Sequence, residues 1–304
     1  MTSPERWVIK KQGGAVCRSA MWWFRSIFRK KSEGAARYAE AMQRRFGSRV
    51  TLLNVLPAPH YEFGAMEVGG SVLEDLFRNR VEQAEQDLKL FLADELPPDS
   101  TERLLKEGDP ATEIIKLAHE RGAGLIVMPT HGYGTFRRFI LGSVTAKVLH
   151  DADCPVWTGV HLECEAVDAL QWKRVTVAID LGPQSERALM WGKRFAELAG
   201  AELQVIHATP NLEGYAGEYF DPNWQKHMEA SVREEAAELM GRVDVQAPLM
   251  VACGETASTV CDLAQESKAD VLVIGRGSAA GVFGRLRANA YSIIRQSCCP
   301  VVSV

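Results

Sequence analysis

The chain has 304 residues, a formal net charge of −4 and a hydrophobic fraction of 46%, enough for two domains with separate cores. The mild acidity gives no overall attraction to nucleic acid or anionic lipid. No apolar run approaches the roughly 18 residues of a membrane helix. The basic start meets only Met21-Trp22-Trp23-Phe24 before Arg25, too short for a secretory apolar segment, so the expectation is a soluble, cytoplasmic protein.

In chain order, residues 1–21 read as a basic tail. Its cations, continuing to Lys31, face a single acid, Glu5, with Trp7, Trp22 and Trp23 interleaved. Such a stretch could touch nucleic acid or a membrane surface, but a plain tail running into an atypical first strand, Trp22–Ile27, is preferred. A helix follows over Ser32–Phe46, stopped by Gly47, then a strand over Val50–Val55. After a long connection, Glu107-Gly108-Asp109 opens a helix over Pro110–Arg121, with Pro110 suited to a first turn. A strand over Leu125–Met128 feeds the stretch THGYGTFRRFILGS, residues 130–143, and then a helix over Val144–His150 and a strand over Val156–Val160. The polar segment 161–172 reads as a linker.

The second half, 173–304, repeats the first, 22–160. Setting Ser32 on Ser185 brings Ala35 onto Ala188, Gly47 onto Gly200 and Pro57 onto Pro210 without a gap. Strands are expected over Val175–Ile179, Leu203–Ile206 and Val271–Ile274, and helices over Ser185–Leu198, Gln225–Met240 and Thr256–Lys268. Cys253-Gly254-Glu255 matches Glu107-Gly108-Asp109, and Cys299-Pro300-Val301 matches Cys154-Pro155-Val156. Strands alternating with helices imply parallel sheets covered on both faces. Ligands of such sheets sit beyond the carboxyl ends of the strands, where strand order reverses.

That rule singles out residues 130–143. Gly132 and Gly142 let backbone amides approach an anion, and Ser143 opens a helix whose free N–H groups attract negative charge. These features suit a di- or triphosphate. The alternative is a plain turn with Ser143 as a cap, and no G-x-x-x-x-G-K-[ST] is present. Arg137 and Arg138 could touch phosphate or water. His131 has no acid or nucleophile partner and reads as a turn residue. Seven cysteines, an odd count, argue against a disulfide framework. Cys298-Cys299 read as a buried, reduced pair. His150, Cys154, His161 and Cys164 lack finger spacing, so no metal site is expected.

Two copies of strand–helix–strand, the GDP at a helix start, the G-x9-G-S loop and the trailing CPV together resemble the universal stress protein family. The resemblance covers the chain from residue 22 onward, in tandem. It implies two open, parallel, five-stranded α/β sheets, Rossmann-like, with strand order 3-2-1-4-5 and helices on both faces. It also implies pairing of the two domains through their last strands, Val156–Val160 and Val301–Val304, with a further homodimer open. Many members bind ATP, with Mg, through an aspartate after the first strand and a G-x2-G-x9-G-[ST] loop; others bind no nucleotide. Carried over, the resemblance places a site at Val55, Thr130, Gly132, Gly142, Ser143 and Val144 in the first copy. In the second it marks Asp180, Gly275 and Gly277.

Both copies depart from that pattern. In the first, Pro129 replaces the leading glycine, and Ile27 falls on the Asp180 position. In the second, Asp180 is present, but Arg287-Ala288 stand where Gly142-Ser143 stand in the first. A site built from both halves needs a pairing that the family does not suggest. The expectation is therefore a stress-response protein with one weakened ATP site in the first copy and a partner domain in the second. A nucleotide-free interaction module and a weak ATP hydrolase remain alternatives, and no residue pattern demands catalysis.

Overall fold

A computed structural model describes residues 19–24, 30–57, 70–130, 141–159, 171–210, 224–276 and 284–304; for 19–24, 30–33, 70–73, 224–225 and 284–288 it describes the backbone alone. Domain 1 runs β1 (Ser19–Phe24), α1 (Lys30–Phe46), β2 (Arg49–Leu56), α2 (Gly70–Leu90), β3 (Thr101–Glu107), α3 (Pro110–Arg121), β4 (Leu125–Val127), α4 (Ser143–Asp151) and β5 (Val156–Thr158). Domain 2 runs β6 (Arg174–Ala178), α5 (Ser185–Ala199), β7 (Glu202–Thr209), α6 (Trp224–Arg242), β8 (Leu249–Cys253), α7 (Thr256–Glu266), β9 (Val271–Ile274), α8 (Gly284–Gln296) and β10 (Val301–Ser303).

Each domain has the expected parallel strand order, but the two do not form separate sheets. They join in one ten-stranded sheet, β3-β2-β1-β4-β5-β10-β9-β6-β7-β8. The join is the pair β5–β10, which is antiparallel, with Val302 opposite Trp157. The predicted pairing surface is therefore the observed seam.

The local reasons are plain. In α1, Ala35, Tyr38, Ala39 and Met42 are buried at helical spacing, a stripe that docks on the sheet. Gly47 and Gly200 follow α1 and α5 with φ of +64° each, the left-handed stop that glycine adopts without strain. The inner strands β4 and β9 are buried along their whole length, as strands covered on both faces must be.

The seam is packed from both sides. On one face, Tyr38 and Phe46 of α1 meet Trp157 of β5, Trp172 and Phe195 of α5. Ring centroids lie 5.7 Å apart for Tyr38–Trp157, 5.4 Å for Trp157–Phe195 and 5.3 Å for Trp172–Phe195. Trp172, the last residue of the segment read as a linker, is thus a core residue. On the other face α4 and α8 lie side by side, and Tyr291 Oη of α8 donates to the Ala146 carbonyl of α4 at 3.3 Å. Apolar clusters on both faces contain residues of both domains.

One expectation is corrected here. The first strand is Ser19–Phe24 rather than Trp22–Ile27, and it begins inside the segment read as tail. Trp22 pairs with Leu52 and Val127, as Val177 pairs with Val205 and Val273. Phe24 therefore stands where Ile179 stands, and the next residue, Arg25, takes the Asp180 position in place of Ile27. From Trp22 to Ser32 is ten residues, whereas from Val177 to its counterpart Ser185 is eight, so matching the helices alone shifts the strand by two. Arg25 and Ile27 themselves lie outside the described residues.

Candidate functional site

The mouth of domain 1 lies beyond the carboxyl ends of β1 and β4, where strand order reverses. β2 extends past β1, whose last pair is Phe24 with Asn54, so Val55 and Leu56 border this opening. The Val55 side chain itself is fully buried in the core, which leaves its backbone as the part that could face a ligand. Thr130 is buried, and its carbonyl accepts from Gly142 N–H at 2.9 Å. Thr145 Oγ1 donates to the Pro129 carbonyl at 3.1 Å. These two bonds close the base of the 131–141 stretch. They set the start of α4 beside the end of β4.

At that start, Gly142 is the N-cap, extended at φ −63° and ψ 144°, and no described side chain caps the helix. Ser143 is exposed and Val144 partly so. Among the described residues, the first N–H groups of α4 have no side-chain acceptor, the arrangement that favours an anion. A cation stands nearby. Lys147 Nζ donates to Asp109 Oδ1 at 2.9 Å and to Thr112 Oγ1 at 3.1 Å. Asp109 also caps α3 through Thr112 N–H and Oγ1. Hydrogen bonds from Thr112 and then Lys147 hold the Asp109 carboxyl at about 2, below its ordinary 3.8. Lys147 ties α3 to α4, a role that the sequence reading missed. Gly132, His131, Arg137 and Arg138 lie outside the described residues.

The mouth of domain 2 differs from that of domain 1 in where its helix starts. α8 begins at Gly284, whereas the matching helix α4 begins at Ser143, the counterpart of Ala288. An added helical turn thus covers the position of the α4 N-terminus, and Arg287-Ala288 lie within the helix. The backbone groups that α4 leaves open become internal helix bonds here. Asp180 is exposed, but its Oδ1 already accepts from Gly182 N–H at 2.9 Å and Ser185 Oγ at 2.7 Å. The turn bends through Leu181 at φ +60°, an Asx-type turn. Gly275 has a packing role: a Cβ there would lie 2.9 Å from Gln184 Cβ, ahead of α5. Gly277 lies outside the described residues.

Arg276 was unassigned in the sequence reading. Its guanidinium crosses the seam and donates to the carbonyls of Ala152 at 2.5 Å, Cys154 at 2.7 Å and Leu149 at 3.4 Å. Those carbonyls carry no sequence signature. Burial pulls the Arg276 pKa below its ordinary value and pushes the Cys154 thiol up to about 11.

A site shared by Asp180 and Ser143 is ruled out by the seam. Because β5 and β10 are antiparallel, the two mouths open at opposite edges of the sheet. They are four strand spacings apart along it, on the order of 19 Å. Among the described residues, no group of three or more His, Cys, Asp or Glu is placed to hold a metal ion. No helix among them is long and apolar enough to cross a membrane.

Comparison with known proteins agrees with this architecture. The universal stress protein family matches residues 28–158 and again 171–304. A universal stress protein of Mycobacterium bovis is 28% identical over 179 residues, 58% of this chain and 59% of that protein, so the chain spans under two thirds of that relative. One from Mycolicibacterium smegmatis is 26% identical over 282 residues, 90% of this chain and 92% of that protein. Among solved structures, a universal stress protein from Archaeoglobus fulgidus covers 95% of this chain and 96% of its own, with a TM-score of 0.64 at 22% identity. Two matched domains, the strand order of each and their pairing in one chain lead to one conclusion: this chain belongs to the universal stress protein family, as a tandem of two such domains.

Proposed function

We propose that domain 1 binds ATP, with its phosphates on the N-terminal turn of α4, and that the chain serves a stress response through this one site. The observation that carries the proposal is the uncapped start of α4 at Gly142-Ser143, held against β4 by the Thr130–Gly142 bond. The N–H groups of Ser143 and Val144 and the Ser143 hydroxyl would receive phosphate oxygens. Backbone at Val55 and Thr130 would border the nucleoside. Mg would arrive with the phosphates. Asp180 and Gly275 take no part, since they belong to the other mouth.

The fit is good for phosphate and poor for the nucleoside. Phe24 stands in the register of Ile179 and the residue after it in sequence is Arg25, so the sequence offers no carboxylate at the step where domain 2 has Asp180. Weak affinity follows. Domain 2 supports a second reading for its own half, a nucleotide-free interaction domain, because the added turn of α8 covers its phosphate position.

The test is ATP calorimetry on the wild type beside Gly142→Arg/Ser143→Ala, which writes the domain 2 residues into domain 1. Binding by the wild type and its loss in the variant support the site. No binding by a folded wild type overturns it. Phosphate release by the wild type, absent in the variant, would add the hydrolase.

A further inference from the structure

The helix α4 spans the sheet between the two mouths. It returns from β4 to β5, which are parallel, so it runs opposite to the strands. Its N-terminus lies at the mouth of domain 1 and its C-terminus at the edge where domain 2 opens. The nine residues of α4 reach about 13 Å. A helix this short does not hold its own shape or direction; contacts with its neighbours do.

Its C-terminus is held from domain 2. Arg276 donates to the carbonyls of Leu149, Ala152 and Cys154, and Tyr291 to that of Ala146. A guanidinium at a helix C-terminus satisfies carbonyls that lack a helical partner and complements the helix dipole. Arg276 is itself fixed. Its N–H donates to the Val304 carbonyl at 3.1 Å, and Gly275 beside it packs on Gln184. The residue after β4 at the matching place in domain 1 is Thr130, whose side chain is too short to span a seam. Among the described residues the device exists once.

We propose that Arg276 is a positioning residue for the domain 1 site, and that through α4 it couples ligand binding in domain 1 to the loop after β9 in domain 2. The proposal rests on the phosphate role of the α4 N-terminus. Coupling of this kind is reciprocal. If Arg276 helps to orient α4 for the phosphates, the bound phosphates must in turn steady Arg276 and its loop.

The experiment uses the full chain and ATP, with Arg276→Ala and the milder Tyr291→Phe. Amide hydrogen exchange is followed with and without ATP, and calorimetry gives the affinity. In the wild type, ATP should slow exchange at residues 142–145 and also at 274–276. In Arg276→Ala, ATP binding should weaken about tenfold, the size of losing a charge-assisted hydrogen bond. Exchange should quicken over 143–154 while 256–266 stays as it was. Added guanidinium ion should restore both, and Tyr291→Phe should shift both in the same direction by less. Three results would overturn the proposal: ATP protecting 142–145 but leaving 274–276 unchanged, exchange quickening evenly along the chain, or Arg276→Ala binding ATP like the wild type. If the wild type binds no ATP, the nucleotide site falls. The exchange of 143–154 in Arg276→Ala then decides alone whether Arg276 holds α4.

Discussion

Domain 1 and domain 2 share a strand order, a pair of glycine stops after α1 and α5, and a Cys-Pro-Val entry to the last strand. They differ at the mouth. Domain 1 starts α4 at Gly142-Ser143, with no capping side chain among the described residues. Domain 2 starts α8 one turn earlier and uses the same backbone for helix bonds. Domain 2 keeps the aspartate but spends both its known hydrogen bonds on its own turn. A few residues at the start of one helix thus separate the proposed anion site from its counterpart, while the sheet below keeps the same strand order.

The largest expected effect falls on what the domains share. Trp157→Ala empties the centre of the aromatic seam, where Trp157 is fully buried between Tyr38, Trp172 and Phe195. It should cost about 3–5 kcal/mol and split one urea transition into two, read by tryptophan fluorescence and circular dichroism. A single, unshifted transition would mean that the domains are not coupled there.

Next is a difference between the two helices that follow the first strands. Gly192 of α5 packs so close to β6 that a Cβ would meet Val177 Cγ2 at 2.4 Å. The same place in α1 holds Ala39, fully buried. Gly192→Ala should destabilise by about 1–3 kcal/mol through overpacking. If urea titration shows no loss, α5 has room to shift, and this contrast between the domains vanishes.

Asp180→Ala removes the acceptor for Gly182 N–H and Ser185 Oγ and should cost about 1 kcal/mol. ATP binding should not change, because the mouths lie at opposite edges. A lowered ATP affinity would show that domain 2 contributes a ligand contact.

The smallest effect is electrostatic. The folded pKa of Asp109, about 2, lies below its ordinary 3.8, so its contribution is complete above the ordinary value. It is lost as pH falls through the folded value. The group is half exposed, so solvent screening holds the effect under about 1 kcal/mol. Asp109→Asn should flatten the stability profile between about pH 4 and pH 2. An unchanged acid slope would show that Lys147 and Thr112 do not stabilise the carboxylate.

Most of the fold could be read from residues. The apolar runs Leu125–Met128 and Val271–Ile274 mark buried strands, and the repeated glycines fix where helices end. Gly142-Ser143 likewise marked the start of α4. The register of β1 was not. Its Trp-rich strand is followed by Arg25 rather than by the aspartate that marks the end of the matching strand, and the helix anchors could not reveal the extra residues before them. The start of α8 was hidden because Gly284 looks like loop sequence. Arg276 was invisible for a different reason: its partners are main-chain carbonyls, which any residue supplies.

The antiparallel β5–β10 seam has one more consequence. When two identical chains pair this way, every substitution appears twice, once on each side of the twofold axis. Joined in one chain, the halves can diverge independently. The linked partner is also present at a high effective concentration, whatever the abundance of the protein. An arginine can then reach across from one side only, and one helix can start a turn earlier than its counterpart. Covalent duplication here turns a symmetric assembly into a molecule with a front and a back.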